Sequence, residues 1–421
     1  MRPTELPDNP PRRGFLRAGS AIAAGLAIPA PPSLAQTAER WTATWGAAPA
    51  GPPPAGATMT LSNQTLRLVV HASVGGSRVR IRVSNEMGSA PLNIGMARIA
   101  LRASGATLVA GTDRQLFFNG HASIAIPAGA ALLSDPVGLN VPPFADLAVS
   151  FHLPGSSSAT SIHNYARQTS YVSTTGNYSA SSSLPVQRRI ATWPYLTEVD
   201  VSGAYSGLSA AAAVVALGDS LTDGQASTEN GNRRWPDALA RRLQRELGVA
   251  GNIGVVNRGL SGNCLLTEFA STPLSGRRAL ERFDRDVLAT SGAGWLFVLI
   301  GINDIILSPA ARPLPVENLI AGHLELVRRG RDGGLGMIGA TLTPLEGQAY
   351  FNSTREAARK RFNDWIRSAG AYDAVVDFDR ALRDPARPTR LNPAYDSGDH
   401  LHPNDAGYQA MAQAVPLTLF T

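Results

Sequence analysis

Ser220, His402 and Asp399 are residue types that together can carry out nucleophilic acyl transfer. Ser220 follows the apolar run 211–217, where the sequence predicts a sharp turn from a buried strand into a helix, which would hold the serine hydroxyl out of the sheet. His402 would take the serine proton and return it to the leaving oxygen. Asp399 would reach the other imidazole nitrogen and fix its tautomer. Taken alone, the Gly-Asp-Ser stretch fits an ordinary turn equally well.

Three further groups are candidates for stabilising the oxyanion of a tetrahedral intermediate. They are the backbone N–H of Ser220, the backbone N–H of Gly262 and the side-chain amide of Asn303. A glycine at position 262 lets the backbone approach a substrate closely because no Cβ stands in the way. Each donor of this kind contributes about 3–4 kcal/mol in the transition state.

The second half of the chain, residues 210–421, alternates short apolar strands with helices. The predicted strands are 213–217, 253–257, 295–300, 337–341 and 374–378, and the predicted helices are 235–247, one through 280–287, 316–329 and one opening at Ser353. This alternation predicts a parallel, doubly wound sheet with helices on both faces. Ligands bind at the carboxyl ends of such strands. The candidate residues named above all follow predicted strands, which places them at that edge.

Local signals predict the ends of two of these helices. Pro236 falls in the first turn of the helix that starts at Trp235, and Gly248 ends that helix. Ser353 and Glu356 have capping-box spacing, which predicts Ser353 as the cap of the fourth helix.

The first half, residues 38–205, shows the period of strands and almost no helical periodicity. Many short strands with Gly and Pro turns predict a β-sandwich of jelly-roll type. The strands on either side of Gly75-Gly76 are predicted to form a hairpin with one solvated face. The linker to the second half is predicted between Tyr195 and Ser209.

Two sets of residues in the first half are candidates for binding sugars. One is the predicted solvated face of the hairpin, formed by Arg78, Arg80 and Arg82. Simple solvation of this face is favoured, with binding of acidic sugars as the alternative. The other set is aromatic: Trp41, Trp45 and Tyr165. Packing in the core or at an interface is the favoured role for these rings.

Residues 1–35 are predicted to be a twin-arginine export signal rather than part of the fold. Arg12 and Arg13 form the arginine pair, a weakly apolar Ala/Gly-rich run follows, and small residues precede a cleavage site near Ala35. The run is too short for a stable membrane anchor. We therefore expect an exported protein, in the periplasm or outside the cell.

Composition excludes several classes of protein. The formal net charge is +6, yet the arginines are scattered and no basic stripe with interleaved aromatics is present, so no nucleic-acid partner is predicted. Cys264 is the only cysteine, which excludes an intramolecular disulfide and a multi-cysteine metal site. It is predicted to be a small buried apolar residue. No metal or other cofactor is predicted.

Four ordered blocks in the second half match the motifs of one enzyme family. They are Gly218-Asp219-Ser220-Leu221, Gly262, Gly301-x-Asn303-Asp304 and Asp399-x-x-His402. In these blocks residues 210–421 resemble the GDSL or SGNH hydrolases. The resemblance implies a flavodoxin-like sheet, a Ser/His/Asp triad, and esterase or lipase activity without a metal.

A longer pattern resembles exported bacterial members of that family that carry an added β-domain. It comprises Trp41-x-x-x-Trp45, the strand-rich half, the GDSL block and residues 396–403. Some of those members are similar to esterases that act alongside polysaccharide degradation. The resemblance implies an ester substrate, with acylated polysaccharide as the candidate.

A second Asp/His pair, Asp396 and His400, lies in the same loop as Asp399 and His402. The motif spacing selects Asp399 and His402, and leaves His400 as a loop residue or a substrate contact. Three further aspartates of the motif blocks are expected to hold the loops rather than to react: Asp219, Asp223 and Asp304.

The favoured function is a serine carboxylester hydrolase that removes acetyl groups from carbohydrate esters. Lipase, lysophospholipase, arylesterase and thioesterase activities are the alternatives within the class, and no long apolar lid lies near the motif loops. A non-catalytic carbohydrate-binding wall protein is the alternative of another class, although intact Ser220, Asn303, Asp399 and His402 argue against it. A nucleotide-binding protein would need a Gly-rich lysine loop or a dinucleotide fingerprint, and neither is present.

Overall fold

The computed structural model describes residues 39–205, 208–209 and 212–420 of the chain. The predicted export signal at residues 1–35 lies outside the described residues. Among the helices in the described ranges, none combines the length and the apolar character needed to cross a membrane.

The first half of the described chain consists of short strands, as its alternation of apolar and polar residues predicts. The strands are β1 (Trp41–Gly46), β2 (Thr60–His71), β3 (Gly76–Ser84), β4 (Leu92–Ile94), β5 (Met96–Ser104), β6 (Thr107–Leu108), β7 (Arg114–Leu116), β8 (Ile124–Ile126), β9 (Ala131–Leu133), β10 (Val137–Val141), β11 (Asp146–Ser158), β12 (Ile162–His163), β13 (Ser170–Thr175), β14 (Val186–Ile190), β15 (Trp193–Pro194), β16 (Leu196–Ser202), β17 (Ala204–Tyr205) and β18 (Leu208–Ser209). We call this strand-rich region the β half.

Most of these strands belong to two antiparallel sheets. The first sheet has the order β1-β16-β3-β10, with β9 also paired to β3. The second has the order β14-β13-β2-β11-β5-β6, with β7 also paired to β5. Side chains from both sheets, such as Val70 on β2 and Ile81 on β3, belong to one buried apolar cluster. The predicted strand-rich domain is present, and its jelly-roll connectivity stays a prediction.

The predicted hairpin around Gly75-Gly76 is wrong. β2 pairs with β11 and β13 in the second sheet, whereas β3 pairs with β16, β10 and β9 in the first. The two glycines therefore take the chain from one sheet to the other. Alternation and a Gly-Gly pair identify two strands and a turn, but they do not identify the partner of each strand.

Two of the three arginines on the predicted solvated face of β3 are not solvated, whereas Arg78 is exposed. Arg80 Nε donates to Asp200 Oδ2 at 2.8 Å, and its guanidinium also donates to Ser291 Oγ at 3.1 Å. Arg82 donates to Glu198 and, at 2.7 Å, to the carbonyl oxygen of Ala289. These contacts place the face against the second half of the chain, so the prediction of solvation is wrong for Arg80 and Arg82.

The same carboxylates explain an error in the predicted linker. Residues 196–202 form β16, which lies between β1 and β3 in the first sheet. Glu198 and Asp200 are fully buried on this strand because they face the arginines of β3. Buried acidic residues give a strand the polar composition of a loop, so the sequence pattern predicts a linker here instead of a strand.

The second half contains a five-stranded parallel sheet with the order β20-β19-β21-β22-β23. Its strands are β19 (Ala213–Gly218), β20 (Gly254–Gly259), β21 (Ala293–Leu299), β22 (Gly336–Ala340) and β23 (Ala374–Val376). Every residue of β19 is buried, as expected of a central strand with both faces covered. The chain reverses its direction across the sheet at β19, and this switch point opens a crevice at the carboxyl ends of the strands. The strand order is that of the predicted flavodoxin-like fold.

Helices connect the strands of this second half. They are α1 (Ser220–Asp223), α2 (Trp235–Leu247), α3 (Ala279–Phe283), α4 (Ile302–Ile306), α5 (Val316–Asp332), α6 (Ser353–Ser368), α7 (Phe378–Leu382) and α8 (Asp405–Ala414). A π-helical turn, Asp284–Leu288, continues α3, and short 3₁₀ helices span Gly248–Gly251, Pro273–Ser275 and Leu417–Phe420.

Helix α2 has the predicted bounds, with Pro236 in its first turn and Gly248 as its C-cap. The predicted cap of α6 is wrong. Asn352, not Ser353, is the N-cap, and its side-chain oxygen accepts a hydrogen bond from Arg355 N at 2.9 Å. Asn and Ser are both good N-caps, so two adjacent candidates leave the first residue of the helix undecided by sequence.

The two halves meet along a seam formed mainly by β1, β16 and β20. The backbone N–H of Ala43 donates to Ser291 O at 2.9 Å, and a Cβ at Gly254 would lie 2.3 Å from Ala43 O, so β1 and β20 touch backbone to backbone. Arg258, on β20, forms a fully buried ion pair with Glu198. The chain from Glu39 onward accordingly forms one compact unit.

Candidate active site

Ser220 lies at the carboxyl end of β19, on the first turn of a very short helix. Asp219 caps that helix, since its Oδ1 accepts a hydrogen bond from Leu221 N at 3.0 Å. Gly224 ends the helix with φ of +88°, a conformation that favours glycine. Together the cap and the glycine confine α1 to one turn, which holds Ser220 at the sheet edge.

Ser220, His402 and Asp399 lie in one hydrogen-bonded series. His402 Nε2 is 2.8 Å from Ser220 Oγ, although 182 residues separate them in sequence. His402 Nδ1 is 2.5 Å from Asp399 Oδ2. A carboxylate only accepts hydrogen bonds, so Nδ1 carries the proton and Nε2 is free to accept the proton of the serine hydroxyl.

Asp399 is itself fixed by the backbone. Its Oδ1 accepts hydrogen bonds from Leu401 N at 2.9 Å and from His402 N at 2.8 Å. Partial burial acts to raise the pKa of Asp399, but hydrogen bonds from the side chain and backbone of His402 outweigh it and lower the pKa below its usual range. The group beside His402 is therefore a carboxylate at neutral pH.

The second Asp/His pair of this loop is separate from Ser220. His400 Nδ1 lies 2.6 Å from Asp396 Oδ2, and Asp396 also accepts hydrogen bonds from the backbone of Gly398 and His400. The side chain of His400 is 41% exposed, whereas that of His402 is 9% exposed. Of these two histidines, only His402 contacts the serine.

Two of the candidate oxyanion donors come from neighbouring loops. Gly262 has φ of +79°, and a Cβ there would lie 2.5 Å from Ser275 Oγ, so this position requires glycine. Asn303 Nδ2 donates to Asn263 O at 2.9 Å, which ties the side chain to the Gly262 loop. Among the described residues, the backbone N–H groups of Ser220 and Gly262 donate to no backbone carbonyl in a turn, loop or helix cap. Both are therefore available to a ligand.

Two buried carboxyl groups hold these loops. Asp304 accepts hydrogen bonds from Leu265 N at 2.7 Å and Leu266 N at 2.9 Å, which is the bracing role expected of it. Burial raises the pKa of Asp304 to about 6 and that of Asp219 to about 7. Cys264 is buried, and burial raises the pKa of its thiol, so it remains protonated.

We predict that Asp219→Asn changes the pH dependence of stability. The pKa of Asp219 rises from 3.8 to about 7 on folding, so the folded protein binds more protons than the unfolded chain between these values. Wild-type stability is therefore lost as pH rises from about 4 to 7, by about 4 kcal/mol at most from this group. The asparagine variant lacks this loss, so its stability relative to wild type should increase with pH.

Urea unfolding of both proteins at several pH values between 4 and 8 measures this difference. Asp332→Asn, which removes an exposed carboxylate from α5, controls for the change in net charge. If the difference in the free energy of unfolding between the two proteins stayed constant over this pH range, the raised pKa of Asp219 would be contradicted.

One buried pair was missed by the sequence analysis. His163, on β12 of the β half, has Nε2 2.9 Å from Asp223 Oδ1 and Nδ1 3.0 Å from Ala48 O. The other oxygen of Asp223 accepts hydrogen bonds from the backbone N–H of Ser261 at 3.0 Å and from its hydroxyl at 2.7 Å. The β half is thus linked through Asp223 to the residue that precedes Gly262. No local motif marks His163.

Within the described part of the chain, no group of three or more His, Cys, Asp or Glu side chains is placed to hold a metal ion.

The sequence model of the GDSL-like lipase/acylhydrolase family matches residues 216–410. This part of the chain is a GDSL-like acylhydrolase domain. The matched range contains Ser220, Gly262, Asn303, Asp399 and His402. The GDSL-like domain makes the protein a carboxylic ester hydrolase.

Solved structures similar to this chain include several esterases. A protein described as a lipolytic member of the G-D-S-L family, from Desulfitobacterium hafniense, is 25% identical over 48% of this chain and 96% of its own, with a TM-score of 0.37. An acetyl xylan esterase from Geobacillus stearothermophilus is 21% identical over 49% and 94%, with a TM-score of 0.38. An aryl esterase from M. smegmatis is 17% identical over 48% and 96%, with a TM-score of 0.38. A search of curated proteins found no match.

Proposed function

We propose that the protein is a serine esterase in which Ser220, His402 and Asp399 form the catalytic triad. The observation that carries this proposal is the series of contacts from Asp399 through both nitrogens of His402 to Ser220 Oγ. The intact series argues against the alternative of a non-catalytic carbohydrate-binding protein.

The geometry supports a two-step acyl transfer. Ser220 Oγ attacks the ester carbonyl carbon while His402 Nε2 takes the hydroxyl proton, and the carbonyl oxygen becomes an oxyanion. Collapse of this intermediate expels the alcohol, which receives the proton from His402, and leaves an acyl group on Ser220. Water then attacks the acyl-enzyme by the same route, so that the carboxylic acid leaves and the serine hydroxyl is restored. Asp399 holds the imidazole in the required tautomer throughout.

We propose that the N–H groups of Ser220 and Gly262 and the side-chain amide of Asn303 stabilise the oxyanion. We therefore predict that Asn303→Ala lowers kcat specifically. Removal of one such donor should lower kcat on the order of 10²–10³-fold with little change in KM, because the bond forms only in the transition state. Steady-state kinetics with a chromogenic acetate ester test this. A rise in KM at constant kcat would instead identify Asn303 as a substrate-binding residue.

We propose a short-chain ester of a carbohydrate as the substrate, with acylated polysaccharide as its natural form. A cavity of about 410 Å³ beside Gly262 supports this choice. Carbon atoms make up the larger part of its surface, but seven of its eleven lining residues carry a hydroxyl or an amide: Asn164, Tyr165, Gln225, Ser261, Ser271, Thr272 and Ser275. We call it the polar cavity. Polar side chains set among apolar atoms suit a sugar, which presents both hydroxyl groups and C–H faces.

Lipase, lysophospholipase or arylesterase activity remains the alternative, and a second cavity favours it. This cavity of about 240 Å³ adjoins Asp304, the residue after Asn303. Phe269, Leu307, Leu314 and several prolines give it an apolar wall. We call it the apolar cavity. It offers room for an acyl chain longer than acetyl or for an aromatic ring.

We also propose that the enzyme acts after export, in the periplasm or outside the cell. The arginine pair Arg12-Arg13, the Ala/Gly-rich run after it and the small residues before Ala35 support this. A fusion of residues 1–40 to a reporter that is active only after export would test it.

Hydrolysis of p-nitrophenyl esters from two to sixteen carbons, with Ser220→Ala as the control, tests the proposed function. A preference for the acetyl ester that is lost in the variant supports the short-chain esterase, and acetylated xylan is then the next substrate. A preference for acyl chains of eight carbons or more would instead indicate that lipid esters are the substrates. Absence of turnover of every ester and of acetylated xylan would favour the binding protein.

A further inference from the structure

We propose that the β half supplies part of the substrate site: Tyr165 and Asn164 form one wall of the polar cavity, which binds the sugar ring that carries the ester. This proposal rests on the proposed esterase function. It adds a role for residues that lie outside the GDSL-like domain.

The position of the polar cavity links it to the chemistry. Ser261 and Gly262 belong to its lining, and so does Gln225, two residues after the end of α1. The N–H of Gly262 is a proposed oxyanion donor. A substrate whose carbonyl oxygen lies at this N–H therefore has the polar cavity directly beside its ester group.

The lining matches the two kinds of surface that a sugar presents. Tyr165 is 46% exposed, and an exposed aromatic ring can pack against the C–H face of a sugar. Asn164 beside it offers amide donors and acceptors for sugar hydroxyls. Within the described residues, neither the Tyr165 hydroxyl nor the Asn164 amide hydrogen-bonds to another protein group. Both side chains are free to bind a ligand.

The wall is held rigidly although its two side chains are free. On one side, His163 is buried and hydrogen-bonded to Asp223, which lies in the second half of the chain, called here the hydrolase half. On the other side, the carbonyl oxygen of Ala166 accepts a hydrogen bond from the buried guanidinium of Arg234. Asn164 and Tyr165 thus project from a segment that is anchored at both ends to the hydrolase half. Such preorganisation reduces the entropy lost when a ligand binds.

Most of the remaining lining comes from the hydrolase half. Residues 271–275, which include three hydroxyl-bearing side chains, line the same cavity as Asn164 and Tyr165. Pro54, also from the β half, completes the lining. The substrate site is therefore composed of residues from both halves of the chain.

Tyr165→Ala tests the proposal with two acetyl esters that differ in their alcohol. For acetylated xylo-oligosaccharides, kcat/KM should fall about tenfold or more, mainly through KM, because a buried aromatic contact is lost. For p-nitrophenyl acetate, kcat/KM should stay within about twofold, because its alcohol is not a sugar. Tyr165→Phe should keep most of the oligosaccharide activity. Phe117→Ala, which removes another exposed aromatic ring of the β half, is the matched control.

Equal losses on both acetates, or a loss confined to long-chain esters, would overturn the proposal. Calorimetric binding of an unacetylated xylo-oligosaccharide, carried out in parallel, separates this proposal from the esterase assignment. Binding by wild type that weakens about tenfold in Tyr165→Ala supports the sugar site even if no acetylated sugar is hydrolysed. If wild type hydrolyses acetylated oligosaccharides through Ser220 while Tyr165→Ala and Asn164→Ala match it in KM, the esterase assignment stands and the sugar site fails.

Discussion

Replacement of Ser220 by alanine is expected to lower kcat for ester hydrolysis by about 10⁴–10⁶-fold. The hydroxyl oxygen lies 2.8 Å from His402 Nε2, and without it no acyl-enzyme can form. His402→Ala should cost a similar factor, because the serine would then keep its proton. The two losses should not add, since the serine and the histidine act as one unit.

The measurement is kcat with the best p-nitrophenyl ester, together with the thermal unfolding midpoint. Alanine removes a single oxygen at a site that is only 5% exposed, so the fold should be preserved. Ser368→Ala, an exposed serine on α6, is the matched control. If the Ser220→Ala protein were folded and kept a tenth of the wild-type rate, Ser220 could not be the nucleophile.

Asp399→Asn is the second large effect that we expect, with kcat reduced by about 10³–10⁴-fold. The asparagine amide cannot hold the Nδ1 proton of His402 as a carboxylate does, so the ring loses the tautomer that accepts from Ser220. The bound substrate does not contact Asp399 in the proposed mechanism, so KM should change little. Steady-state kinetics over pH 6–9 separate the two parameters.

The same loop provides a matched control in Asp396→Asn. Asp396 contacts a histidine at 2.6 Å, in a loop turn only three residues from Asp399, yet its partner His400 does not contact Ser220. Activity should therefore stay within about threefold of wild type, as for a residue outside the triad. If the Asp396 variant lost as much activity as the Asp399 variant, the pairing of acid and base would have to be assigned again.

Much of the candidate site could be predicted because its determinants are local or topological. The Ser220 turn is encoded by its own cap and by Gly224, and Asp399 reaches His402 across three residues. Parallel strands then bring distant loops to one edge whatever lies between them. The outcome, a hydrogen bond across 182 residues, follows from strand direction rather than from any local signal.

The parts that could not be predicted depend on contacts between the two halves. His163 and Asp223 are 60 residues apart and lie in different halves, so no spacing rule connects them. The sequence predicts a linker at Glu198 because acidic residues are typical of loops. Only the position of its arginine partner shows that this carboxylate is buried in a strand. The prediction that Arg80 is solvated is wrong for the same reason, because the sequence does not show which residues contact it. Sequence periodicity shows which face of a strand is polar, but not what covers that face.

The buried pair of Glu198 and Arg258 limits how such a chain can be recombined. If the β half were exchanged for an unrelated module, Arg258 would remain buried without its carboxylate, and breaking a buried ion pair in this way costs about 3–5 kcal/mol. A graft would succeed only where the incoming module carries an acid in the register of β16, or where Arg258 is replaced at the same time. The two halves are therefore interchangeable only in combinations that keep this ion pair or replace both of its members.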